Sequence, residues 1–113
     1  MTEYDIEAVA EELMFTTSEL QEIFEIYFDE AVHLLPDCYA VLERQDYMEF
    51  SKIMHGFKGA SANLRMKKLA QLAEELEKRG KAGGGAEMAL ELPLLEKEID
   101  VVRDCIEAFY GKF

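Results

Sequence analysis

From Leu20 to Phe109 the apolar residues recur in steps of three and four, and no stretch keeps the period-two alternation of a half-buried strand. That spacing confines the chain to helices. One stripe holds Leu20, Phe24, Tyr27, Phe28, Ala31, Leu35, Cys38 and Leu42, and a second holds Phe50, Ile53, Met54, Phe57, Ser61 and Leu64. A third holds Leu69, Leu72, Ala73 and Leu76, and the last holds Leu95, Ile99, Val102, Ile106 and Phe109. Each stripe must be buried against others to be stable, and short connections make neighbours antiparallel. The expectation is an all-α, antiparallel up-down four-helix bundle over about residues 17–110, with a short capping or lid helix over about 5–14.

Local signals punctuate these stripes. Thr16-Thr17-Ser18 offers caps for the first long helix, and the acidic run Glu19 to Glu22 suits its N-terminal dipole. Pro36 removes a backbone donor and predicts a kink or break near Val32 to Pro36. Asn63-Leu64-Arg65-Met66 reads as a turn, Gly80 as a left-handed cap after Lys78-Arg79, and Gly83-Gly84-Gly85 as a flexible break. Pro93 fits the first turn of the last helix, while residues 86–92 suit either a helical extension or a loop. The aromatic run Phe15, Phe24, Tyr27 and Phe28 suits the core, with part of a partner-binding patch beside His55 as the alternative for those near the lid.

With 113 residues the chain makes one domain, residues 1–113, without space for a separate nucleotide-binding lobe or a Gly-rich phosphate loop. The acidic N-terminus and the lack of a run of roughly 20 apolar residues lead us to expect a cytoplasmic protein. Cys38 and Cys105 lie apart inside apolar patterns and are expected to be buried free thiols. A net charge of −12 speaks against nucleic acid and anionic membranes as partners. The charge is also uneven: five of the 12 basic residues, Lys52, Lys58, Arg65, Lys67 and Lys68, and none of the 24 acidic ones fall between Lys52 and Lys68. Glu30 and His33 have the Glu-x-x-His spacing of di-iron bundles, but no second copy exists, so no metal and no cofactor are expected.

On the second long helix His55 points roughly 140° away from the core direction on a 100° wheel. Ser51, Lys58, Gly59 and Ala62 are its expected neighbours on that exposed side. Gly56 and Gly59 each cost about 0.8–1 kcal/mol relative to alanine inside a helix, so access to the ring explains them better than stability. Lys58, at i+3, is within reach of an anion beside the ring. An antiparallel third helix returns Glu74 to Glu77 to the level of His55, where Glu77 is placed to accept the Nδ1 proton and leave Nε2 with a bare lone pair. Such a ring is a nucleophile. For His33 an ordinary surface or boundary position is expected.

The run His55-Gly56-Phe57-Lys58-Gly59-Ala60-Ser61-Ala62-Asn63-Leu64, with Leu69, Leu72, Leu76-Glu77 and Gly80, resembles the histidine phosphotransfer (HPt) family. It shares the His-x-x-Lys-Gly core, the small residues after it and the Leu-Glu-x-x-Gly ending. The resemblance implies a phosphorelay intermediate, a carrier and not an enzyme. His55 would take a phosphoryl group from a receiver aspartate or a histidine kinase and pass it to a response-regulator receiver. It further implies that Lys58 steadies the phosphoryl charge, Gly59 clears the approach and Glu77 orients the imidazole. Magnesium would be supplied by the partner receiver. The chain departs from the family at Met54, where alanine is frequent, and at Arg65, where a turn glycine is common. Lys52, Ala62, Arg65, Lys67 and Lys68 are the expected partner-binding rim, the cationic ones drawing in an acidic receiver face. A monomer is expected. The alternative is an HPt-like module that binds receiver or kinase domains without transferring phosphate.

Overall fold

The computed structural model describes residues 4–84 and 87–111. Five helices follow in order: α1 (Ile6–Leu13), α2 (Thr17–Glu43), α3 (Tyr47–Asn63), α4 (Lys67–Lys81) and α5 (Glu87–Tyr110). Among the described residues there is no strand. Helix α2 packs on α3 and α5, and α4 packs on the same two, which closes a ring of four antiparallel helices. The longest dimension of the molecule, 42 Å, matches the roughly 40 Å length of the 27-residue α2. Helix α1 lies against α2, and just before it the Tyr4 hydroxyl donates to the Leu64 carbonyl at 2.6 Å, tying the cap to the α3–α4 turn.

The four inward stripes meet as the periodicity predicts. Leu20, Phe24, Phe50, Met54, Leu69, Ala73, Leu95, Ile99 and Ile106 are fully covered. Ile6, Val9 and Ala10 add the buried face of α1. Phe15 and Phe109 depart from expectation: both are exposed, Phe15 in the α1–α2 connection and Phe109 in the last turn of α5. Cys38 is buried, but Cys105 is only partly so; both thiols are free. No helix among the described residues is long and apolar enough to cross a membrane.

Side-chain caps start the first three helices. Thr16 and Glu19 form a reciprocal capping box at the start of α2, and Asp5 and Asp46 cap α1 and α3. At the end of α3, Arg65 takes the left-handed conformation (φ 63°) while the Met66 N–H reaches back to the Ser61 carbonyl and the Arg65 N–H to that of Ala62. This closure usually recruits glycine. Here the buried Leu64 and Met66 side chains on either side hold it in place.

Pro93 and Gly80 behave differently from the sequence reading, and of the kink or break expected near Pro36 the break does not occur. Helix α2 runs unbroken through Pro36, since the carbonyl the proline leaves unbonded belongs to Val32, which is exposed to water. Pro93 is interior to α5, which already begins at Glu87; the carbonyl it forgoes, that of Ala89, is on an exposed residue too. Gly80 is not a cap. It is buried inside α4, and a Cβ there would stand 3.0 Å from the Tyr47 carbonyl oxygen and 3.1 Å from Ser51 Cβ, so glycine allows α4 to lie close against the start of α3. The left-handed residues after α4 are Gly83 and Gly84; Gly85 and Ala86 lie outside the described residues.

Candidate functional site

Helix α3 buries Phe50, Met54, Phe57 and Ser61, and that choice of face turns His55 outward. Its side chain is 67% exposed. Helix α4 buries Leu69, Ala73 and Leu76, which draws the adjacent Glu77 to the α3–α4 seam with only 4% of its side chain exposed. The close approach at Gly80 sets the depth of that seam, and Ser51 bridges it by donating to the Glu77 carbonyl at 3.0 Å. Ser51 is therefore buried and faces α4; the wheel placed it on the exposed side, but it stands next to Phe50, where α4 covers the helix.

At the seam the Glu77 carboxylate meets three groups. His55 Nδ1 is 2.9 Å from Oε2, Lys81 Nζ is 3.1 Å from the same oxygen, and Lys58 Nζ is 2.9 Å from Oε1. Lys58 is thus the partner of Oε1, while Oε2 is shared by the ring and Lys81. Lys58 and Lys81 are 30% and 63% exposed, so the carboxylate sits just beneath a cover formed by its own partners. The Lys58 ammonium foremost, with Lys81 and His55, holds the carboxyl down to about 2 against the opposing effect of burial. Glu77 is thus charged and can only accept. The shared proton belongs to His55 Nδ1, so in the neutral ring the lone pair is on Nε2.

The space around that nitrogen is open. A Cβ added at Gly56 or Gly59 would find nothing within 4 Å, so neither glycine is required by packing inside the domain. Ala62 is exposed further along the same helix. The structure therefore brings His55, Lys58, Gly59 and Glu77 together. It does not gather the five basic residues into one rim. Arg65 reaches Glu12 at 3.5 Å, Lys68 pairs with Glu98 at 3.3 Å, and Lys67 sits beside them around a cleft of about 420 Å³ under α1. These three are at the capping end, since α3 runs about 12 Å onward from His55 before the turn begins. Lys52 is exposed on the groove between α2 and α3.

Three features escaped the sequence reading. Lys81 is the second cation on Glu77, signalled only by a Glu-x-x-x-Lys spacing that many solvated helices share. Glu98 is a second buried carboxylate, 4% exposed, beside Ile99 in the α5 stripe. Asp29, Glu30, His33 and Asp37 make an acidic wall on α2, across a groove of about 580 Å³ from Lys52 and Gly56.

The model of the Hpt domain family matches residues 22–109, most of the chain and the whole of this site. The chain belongs to the Hpt domain family. Neither a curated protein nor a solved structure matches it. Hpt domains are phosphotransfer carriers of two-component systems, where they interact with kinase and receiver domains. In this Hpt domain the matched span covers α3, α4 and nearly all of α2 and α5, whereas α1 lies outside it.

Proposed function

We propose that this Hpt domain carries a phosphoryl group on Nε2 of His55, accepting it from a receiver aspartate or a histidine kinase and passing it to a response-regulator receiver. The observation that carries this reading is a single one: an exposed imidazole whose Nδ1 donates at 2.9 Å to a buried, charged glutamate. The Nε2 lone pair attacks phosphorus, the bond from phosphorus to the donor carboxylate oxygen breaks, and that carboxylate leaves with the electron pair. No proton has to move. As the N–P bond forms, the ring gains positive charge, which Glu77 offsets through Nδ1–H, while Lys58 offers its ammonium to the phosphoryl oxygens. The magnesium of such a transfer belongs to the receiver, and the open side over Gly56 and Gly59 is where the receiver's acidic pocket approaches. We place the carrier in the cytoplasm, acting as a monomer.

The test is incubation with phosphorylated receivers and, separately, with autophosphorylated histidine kinases. Wild-type protein acquires an acid-labile, base-stable phosphate that His55→Gln does not. Equal labelling of the variant overturns the assignment, and an unlabelled wild type across several receivers and kinases turns the reading to a binding module without transfer.

A further inference from the structure

Glu77 stands in a contradictory position. An uncompensated carboxylate 2.9 Å from an imidazole would stabilise the doubly protonated ring, the form in which Nε2 carries a hydrogen and cannot attack phosphorus. Yet the same carboxylate is needed once the N–P bond forms and the ring becomes cationic. The Glu77 charge must be muted before transfer and available during it.

We propose that Lys81 is a positioning residue for this reaction: together with Lys58 it offsets Glu77 in the resting protein, so that His55 is oriented without being protonated. It then keeps the carboxylate compensated when Lys58 turns to the incoming phosphoryl group. This rests on the reading of His55 as the phosphoryl acceptor.

The geometry divides the two lysines. Lys58 holds Oε1, the oxygen His55 does not use, and comes from the same helix as the ring, three residues on, where it can turn to another anion. Lys81 shares Oε2 with Nδ1 and comes from α4, the helix of Glu77 itself, one turn later. A single lysine could not serve both anions. With Lys58 drawn to phosphate and no Lys81, a carboxylate with only 4% of its side chain exposed would be left with the imidazole as its sole partner. The strong downward displacement of the Glu77 carboxyl agrees with two ammonium groups acting on it at once.

Other charged groups near the ring leave this assignment intact. On α3, Lys52 is exposed and adds a weaker positive field. On α4, Glu74 is within 3.8 Å of Lys78, in a pair where both side chains are well exposed. From α2, Asp29, Glu30, His33 and Asp37 face the groove lined by Lys52 and Gly56, on the opposite side of α3 from Glu77.

The test compares Lys81→Met with Lys81→Arg and, as a control on the same helix, Lys78→Met. Nitrogen NMR of the imidazole reads ring protonation without any phosphoryl transfer. Phosphoramidate, a small phosphodonor, reads acceptance without a docked partner. In Lys81→Met the imidazolium fraction at a fixed pH above neutrality, where it starts small, rises several-fold, and the pH profile of acceptance moves to higher pH. Lys81→Arg restores both, and Lys78→Met changes neither. Should Lys81→Met fail to fold, Lys81→Gln carries the same comparison. An imidazolium fraction unchanged in the folded variant overturns the proposal, whatever the transfer assay shows. A raised fraction with no acceptance by the wild type upholds the charge balance and instead defeats the phosphoryl-carrier reading on which its purpose depends.

Discussion

The two histidines of this chain are alike in nearly everything that a search for a nucleophile would ask. Both are exposed, both lie within long helices, and both have Nδ1 at hydrogen-bonding distance from an oxygen, 2.8 Å to the Asp29 carbonyl for His33 and 2.9 Å to Glu77 for His55. Since a carbonyl also only accepts, each ring donates from Nδ1, and each neutral ring has its lone pair on Nε2. What separates them is the surrounding charge. His33 is fixed by its own helix among Asp29, Glu30 and Asp37, which repel an anionic phosphoryl group. His55 is fixed by a neighbouring helix, with Lys58 and Lys81 on the orienting carboxylate and open space over Gly56 and Gly59. Exposure and tautomer define a ring that can attack, whereas the field around it decides what it can meet.

The sharpest way to break this comparison is to delete each ring in turn. His55→Gln is expected to abolish acid-labile labelling and His33→Gln to leave it unchanged; label persisting in His55→Gln, or lost in His33→Gln, would reverse their roles. Next in size is the cation. Lys58→Met should slow acceptance from a phosphorylated receiver by one to two orders of magnitude, roughly 1.4 kcal/mol per tenfold, and kinetics equal to wild type would reduce Lys58 to a solvated side chain. Gly59→Gln fills the approach, and its Cβ would meet nothing within 4 Å, so transfer should slow by about tenfold while the thermal midpoint holds or rises. A fall in midpoint with normal transfer would assign the glycine to the fold instead.

The remaining predictions concern Glu77 and stability. Because its carboxyl lies at about 2 rather than 4.5, the folded state gains from the charged form at any pH above about 4.5 and loses that gain as pH falls toward 2. Glu77→Gln should therefore be less stable than wild type above pH 4.5, and the gap measured by denaturant unfolding should close on acidification over that interval. Parallel curves for the two proteins across that range would show that the ion pairs are not formed in solution. Smallest is Gly56→Ala, which meets open space in a helix interior and should stabilise the domain by about 0.5–1 kcal/mol. A destabilised variant would mean that α3 departs from regular helix there.

Much of this comparison was legible in advance. The outward direction of His55 follows from the spacing of Phe50, Met54, Phe57 and Ser61, and the return of Glu77 follows from a short turn between antiparallel helices. Arg65 did not disturb that turn, because the burial of Leu64 and Met66 compensates for the missing glycine. Gly80 was misread as a cap because the letter gives conformational freedom and close approach the same signature; only the neighbouring Tyr47 and Ser51 distinguish them. The basic run Lys52–Lys68 looked like one rim for a similar reason. Sequence distance ignores that α3 carries its two ends to different parts of the bundle, where Glu12 and Glu98 engage Arg65 and Lys68.

The sequence by itself determined the helices, their inward faces and therefore which ring is presented to solvent, since hydrophobic burial acts on a period that the chain spells out. Only the tertiary structure decided that one carboxylate would hold His55, Lys58 and Lys81 together, and that Arg65 and Lys68 would be paired at the capping end. Ion pairs between helices depend on depth and register at a seam, and those are set by contacts such as Gly80 against Ser51 that no periodicity records.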